Sequence, residues 1–95
     1  MQPRLDQVVV WAENGRVVVW VEYFDRLGKL QRETFHPPTG DFAQALEEVA
    51  RALGRRGVVG PGRVRKRVGG QLARLSSLER GFLEALEQAG ADEEA

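Results

Sequence analysis

Apolar side chains crowd into one stretch of the chain, Arg16 to Phe24 (RVVVWVEYF), where they fill both sets of alternate positions. In an extended strand successive side chains point to opposite sides, so Val17, Val19, Val21 and Tyr23 line one face while Val18, Trp20 and Phe24 line the other. Only Glu22 interrupts the pattern. A strand apolar on both faces needs cover above and below, and is expected at the centre of a sheet packed by helices or by a second subunit.

The run before it, Gln7 to Glu13 (QVVVWAE), has the β-branched and aromatic content of a strand. Asn14-Gly15 joins the two runs, and this dipeptide is the strongest short-range hairpin signal because a type I′ turn needs positive φ at both central residues. The turn sets the register: Glu13 opposite Arg16, Trp11 opposite Val18, Val9 opposite Trp20 and Gln7 opposite Glu22. Both tryptophans then share one face, and Val8, Val10, Ala12, Val17, Val19 and Val21 form the other. Asp25-Arg26-Leu27-Gly28 reads as a three-residue hairpin loop closed by a left-handed glycine. A third, more polar strand follows from Lys29 to His36, with Leu30 opposite Phe24 and Arg32 opposite Glu22. Pro37-Pro38 ends it, since proline donates nothing to a ladder.

Beyond the prolines the period changes. Asp41 with Gln44 has the form of a capping box, and Phe42, Leu46, Val49, Ala50 and Leu53 repeat at helical spacing until Gly54 and Gly57. Residues 57–62 read as a glycine-rich loop or a very short strand, and as the most mobile segment. From Val64 the apolar positions Val64, Val68, Leu72, Leu75, Phe82 and Leu86 repeat at threes and fours and predict a second helix, kinked at Gly69-Gly70 or beginning only near Gln71. The resulting expectation is one α+β domain: a three-stranded antiparallel meander followed by two α-helices packed on the sheet. The strands fall at about 7–13, 16–24 and 29–36, the helices at about 41–53 and from 64 or 71 to 89, and an acidic frayed tail at 90–95.

Composition narrows the function classes. The 95 residues carry 14 basic and 14 acidic side chains, so there is no global charge bias toward nucleic acid or an anionic membrane. With no cysteine, disulfides, thiol chemistry and thiolate zinc sites are excluded. The opening MQPRLDQ lacks the apolar segment of a signal peptide, no apolar run has the length of a membrane span, and a cytoplasmic protein is expected. Twelve Arg against two Lys is compatible with a GC-rich or heat-adapted source.

Charge is nonetheless segregated. Between Arg51 and Arg74 there are eight basic residues and no acidic one, whereas from Glu79 onward there are six acids and one arginine. Arg55, Arg56, Arg63, Arg65, Lys66, Arg67 and Arg74 are the candidate anion-binding residues, because guanidinium forks match phosphate oxygens and a glycine-rich approach to a helix start leaves backbone N–H groups open. The competing reading is a solvated helix start whose arginines pair with nearby acids. Trp11 and Trp20 are read as buried under a helix or at a homodimer interface, or as a stacking platform if basic residues accompany them, and only Arg16 and Arg32 are near. His36 has only Glu33 and Asp41 near it in sequence, Ser76-Ser77 has no evident base, and no phosphate-loop pattern exists, so no catalytic residue, metal site or cofactor is assigned. The expected function is a small non-enzymatic interaction or regulatory protein that forms a homodimer and binds nucleic acid or another polyanion weakly. The alternatives are a structural homodimer with a protein partner and a small ligand-binding domain or enzyme at a dimer cleft.

Overall fold

In the computed structural model, which describes residues 1–94, the chain folds in the order β1 (Arg4–Glu13), β2 (Arg16–Phe24), β3 (Leu30–Phe35), α1 (Phe42–Arg55), β4 (Arg63–Val68), β5 (Gln71–Arg74) and α2 (Ser76–Glu94). The five strands form one mixed sheet ordered β3-β2-β1-β4-β5, in which β1 and β4 run parallel and every other pair is antiparallel. The expected meander is therefore one part of a wider sheet. α1 supplies the connection that a parallel pair requires, carrying the chain from the β3 edge across to β4.

The first three strands follow the pattern that set them. Asn14 and Gly15 have φ of 53° and 77°, and the pairs Glu13–Arg16, Trp11–Val18, Val9–Trp20 and Gln7–Glu22 are all present. In the next turn Gly28 has φ 80°, and the Asp25 carboxylate accepts from the Leu27 and Lys29 N–H groups at 2.9 Å. β3 pairs with β2 as expected, Leu30 opposite Phe24 and Arg32 opposite Glu22. A Cβ at Gly15 would touch nothing, so a side chain there is opposed by backbone conformation alone. Gly15→Val is expected to lose more than about 1 kcal/mol in denaturant unfolding, and a change near zero would contradict the turn.

Both helices lie on one side of the sheet. Asp41 caps α1 by accepting from the Gln44 N–H at 3.0 Å, and Gly57, at φ 85°, stops it by donating to the Gly54 carbonyl. Leu46, Val49, Ala50 and Leu53 of α1 and Phe82 and Leu86 of α2 pack with Val8, Val10, Val17, Val19, Val21 and Val64 in one core. The 57–62 segment is tied down: Val58 is buried, and Val59 accepts from the Leu5 N–H and donates to the Pro3 carbonyl, which lines it up with the start of β1.

Residues 63–74 are a β-hairpin, where the spacing predicted a helix from 64 or 71. Valines four apart share a face in a strand as well as in a helix, because four is a multiple of two. A helix through Gly69-Gly70 would lose about 1 kcal/mol per glycine and set arginines against one another, whereas a two-residue turn uses the same glycines, Gly69 at φ 61°. α2 then begins at Ser76 and continues through Glu94, so the stretch expected as a frayed tail is helical as far as it is described. Ala95 lies outside the described residues.

Candidate functional site

Placing both helices on one side leaves the other sheet face without an element across it among the described residues. The register shows what this face displays. One row runs Arg63, Gln7, Glu22, Arg32; the next Arg74, Arg65, Val9, Trp20, Thr34; beyond them Leu72 pairs with Arg67 and Trp11 with Val18, Arg67 lying over the Trp11 ring. Because β4 is a strand, its alternate residues Arg63, Arg65 and Arg67 all project to this side, and because it pairs with β1 they come to lie beside the tryptophans. The pairing of β1, β2 and β3 alone brings only Arg16 and Arg32 near those rings. The missing signal was the parallel pairing of β1 with β4, which no local pattern announces.

The face has a tight interior and an open surface. Val9 and Val18 are 7% and 4% exposed, filled in by their larger neighbours, while Trp11 and Trp20 are half-buried. The Arg67 guanidinium lies 4.0 Å from the Trp11 ring centroid, close enough for a cation–π contact. A polar chain crosses four strands: Arg65 donates to Gln7, Gln7 donates to Glu22 at 3.0 Å, and Arg32 donates to the other Glu22 oxygen at 2.8 Å. Glu22, 8% exposed, needs these donors, since an unpaired buried carboxylate would be far more costly. The hydrogen bond from Gln7, then that from Arg32, holds its carboxyl below the usual carboxylate range although burial pushes the other way. Arg65 Nε is buried without a partner.

The charge on the face is polarised. Arg63, Arg65 and Arg67 form a row of cations along β4, Glu22 under β2 has Asp6 beside it and is paired with Arg32 of β3, and Glu13 and Arg16 sit opposite each other at the far end. The remaining candidate cations are elsewhere or engaged. Arg55 and Arg56 end α1 on the helix side, where Arg56 forms a two-pronged pair with Glu33 and lies over the Phe35 ring. Lys66 points to the helix side and sits 4.5 Å from the Phe42 ring centroid. Arg74 lies opposite Arg65, but its guanidinium is held by Glu79 at 2.8 Å. Gly60-Pro61-Gly62 leads into a strand, so the helix N-terminus expected to offer N–H groups to an anion does not exist there.

Other candidate chemistry is dispersed. His36 is exposed after the end of β3, with Glu33 committed to Arg56 and Asp41 to the α1 cap. Ser76 and Ser77 stand in the first turn of α2, at its start and not in the middle of a helix running from 64 or 71. A cleft of about 730 Å³ on the helix side, between the end of α1, residues 57–61 and α2, is walled largely by Gly54, Val58, Pro61, Leu83 and Leu86. Among the described residues no group of three or more potential metal ligands gathers, and no helix is long and apolar enough to cross a membrane. Compared with protein-family models, curated proteins and solved structures, the chain finds no match.

Proposed function

We propose that the chain is a non-enzymatic nucleic-acid-binding protein that uses the helix-free face of its sheet. The observation that carries the reading is the placement of Arg63, Arg65 and Arg67 at alternate positions of β4, next to Trp11 and Trp20. Arginines supply charge and forked donors for phosphate, and aromatic rings supply surface for the rest of a nucleotide. The chain is neutral overall, so affinity rests on this local row and is modest. Arg55, Arg56 and Lys66, which sequence alone groups with these residues, take no part.

The test is a salt titration with labelled oligonucleotides. Each phosphate neutralised contributes about 0.9 to the slope of log affinity against log salt on duplex and about 0.7 on a single strand. Replacing Arg63, Arg65 and Arg67 with glutamine is expected to flatten that slope by about 2–3 units. Glutamine keeps a polar partner for Gln7, and Val64 and Val68 are untouched, so the fold is retained. Binding indifferent to the three changes would refute the reading.

A second reading is carried by the uncovered face itself: a homodimer in which two such faces meet through Trp11 and Trp20. Its weakness is the cation row, which each copy would have to set against a face of the other whose Glu22 is already paired with Arg32. Light scattering at micromolar concentration separates the two, since a dimer has twice the 10.6 kDa of one chain.

A further inference from the structure

Resting on that reading, we infer that the face takes single-stranded nucleic acid, with neighbouring bases stacked on Trp20 and Trp11, and discriminates against duplex. Trp20 stands opposite Val9, and Trp11 is two residues further along β1, so the two are diagonal neighbours on adjacent strands. Diagonal positions lie about 7–8 Å apart, within reach of two successive bases of one strand. The rings are half-buried on nearly closed ground, Val9 and Val18, which fixes them in place before any ligand arrives.

Arg67 shows which part of Trp11 is presented. Its planar guanidinium lies over the ring at 4.0 Å, so the indole offers a face, and a surface that a guanidinium covers is one that a base can cover. Arg67 is exposed and free to turn its fork to a phosphate while a base takes its place on the ring, or to stack on the base from above. No cation–ring contact among the described residues involves Trp20, so a base needs to displace nothing of that kind there.

The charge pattern sets the direction of the strand. With three cations along β4 and the buried Glu22 carboxylate under β2 already paired with Arg32, phosphates are drawn to Arg63, Arg65 and Arg67 and meet no comparable row of cations on the β2–β3 side. A backbone lying along β4 turns its bases inward over β1 and β2, where both tryptophans stand. A duplex satisfies only half of this arrangement. Its base faces are hidden in the stack, and half-buried indoles on a sheet cannot reach them, so a duplex meets the arginines alone.

Intrinsic tryptophan emission and labelled-oligomer anisotropy are to be measured at low salt with oligothymidylate, oligouridylate and a duplex of equal length. The single strands are expected to bind at least about tenfold more tightly than the duplex and to quench the emission. Trp20→Leu and Trp11→Leu are each expected to weaken single-strand binding about 5- to 150-fold, the span measured when a stacking side chain is removed, with the salt slope unchanged. Trp20→Phe retains a stacking ring and is expected to recover most of the loss, which a fold defect would not do. Binding of either single strand supports the inference. Equal binding of duplex and single strand, with the tryptophan changes silent and the Arg63, Arg65 and Arg67 changes still flattening the slope, overturns this inference and leaves the general reading standing. Absence of any oligonucleotide binding overturns both. A wild-type dimer that becomes monomeric in Trp20→Leu gives the face to a second copy of the chain and overturns it as well.

Discussion

Replacing Gly54 with leucine is expected to cost more than about 3 kcal/mol of folding stability, and replacing it with alanine to give a net loss of up to about 2 kcal/mol. Gly54 lies inside the last turn of α1, where a Cβ would stand 2.5 Å from the Leu86 carbonyl oxygen and 2.8 Å from the Ala89 Cβ of α2. The first neighbour is backbone, so relief requires the helices to separate, which would open the packing around Leu53, Phe82 and Leu86. Two effects compete in the alanine variant. Helix propensity favours alanine over glycine by about 1 kcal/mol, while forcing an atom into a filled site costs typically 1–3 kcal/mol. Steric cost should win because the obstacle cannot rotate away. Urea unfolding followed by far-UV circular dichroism checks it, and an alanine variant as stable as the parent would mean that α1 and α2 have room to spare.

The same residue marks where the sequence is ambiguous. A glycine after a helical stripe reads as a stop, yet α1 continues past Gly54, and Gly57, with its positive φ, is the residue whose backbone needs to be glycine. Local conformation and close packing leave the same letter, and only the partner helix tells them apart. Where one residue had one cause, the reading was sound. Asn14-Gly15 fixed the first hairpin, period two then placed the side chains from Gln7 to Phe24 but not Arg4–Asp6, where β1 begins earlier than expected and the register shifts between Leu5 and Gln7, and Pro37-Pro38 bounded β3. Asp41 and Gln44 marked the start of α1 for equally local reasons.

Residues 63–74 failed for a physical reason that also governs the site. Val64 and Val68 satisfy both periods, Gly69-Gly70 weakens a helix and makes a turn, and the alternating Arg63, Arg65 and Arg67 have no apolar partners to betray a strand. What decides is a non-local pairing: β4 lies against β1, more than fifty residues earlier, at Gln7–Arg63 through Val10–Lys66. The candidate cations were therefore legible as a group, but their division was not. As a helix Arg63, Lys66, Arg67 and Arg74 would share one broad sector with Arg65 away from it; as a strand Arg63, Arg65 and Arg67 fall on one side and Lys66 on the other. That division is what brings charge and aromatic surface together.

Glu79→Ala is expected to lower stability by about 2–3 kcal/mol, because Glu79 is where α2 is fastened to the β4–β5 hairpin. β5 runs out beside the start of β4: Leu75 donates to the Val64 carbonyl, but the Val64 N–H turns to the Glu79 carboxylate at 3.1 Å. The Glu79 side chain is only 13% exposed, so its loss leaves a buried backbone donor without a partner, which costs about 1–3 kcal/mol, and removes packing at the same point. Glu79→Gln keeps an oxygen for that N–H and should lose less than alanine does. The pH dependence carries a definite sign. The hydrogen bond from Arg74, helped by the Val64 N–H, holds the Glu79 carboxyl below its usual range, so the folded pKa lies below the unfolded value of about 4.3. The contribution is then complete above that unfolded value and is lost as pH falls through the lower, folded one. Glu22 and Asp25 are lowered too, so the parent loses stability through all three in acid, and the difference between parent and Glu79→Gln isolates one. That difference should be constant from neutral pH down to about pH 5 and shrink below it. A difference that grows on acidification would show that Glu79 is no better solvated by its partners in the fold than in the unfolded chain.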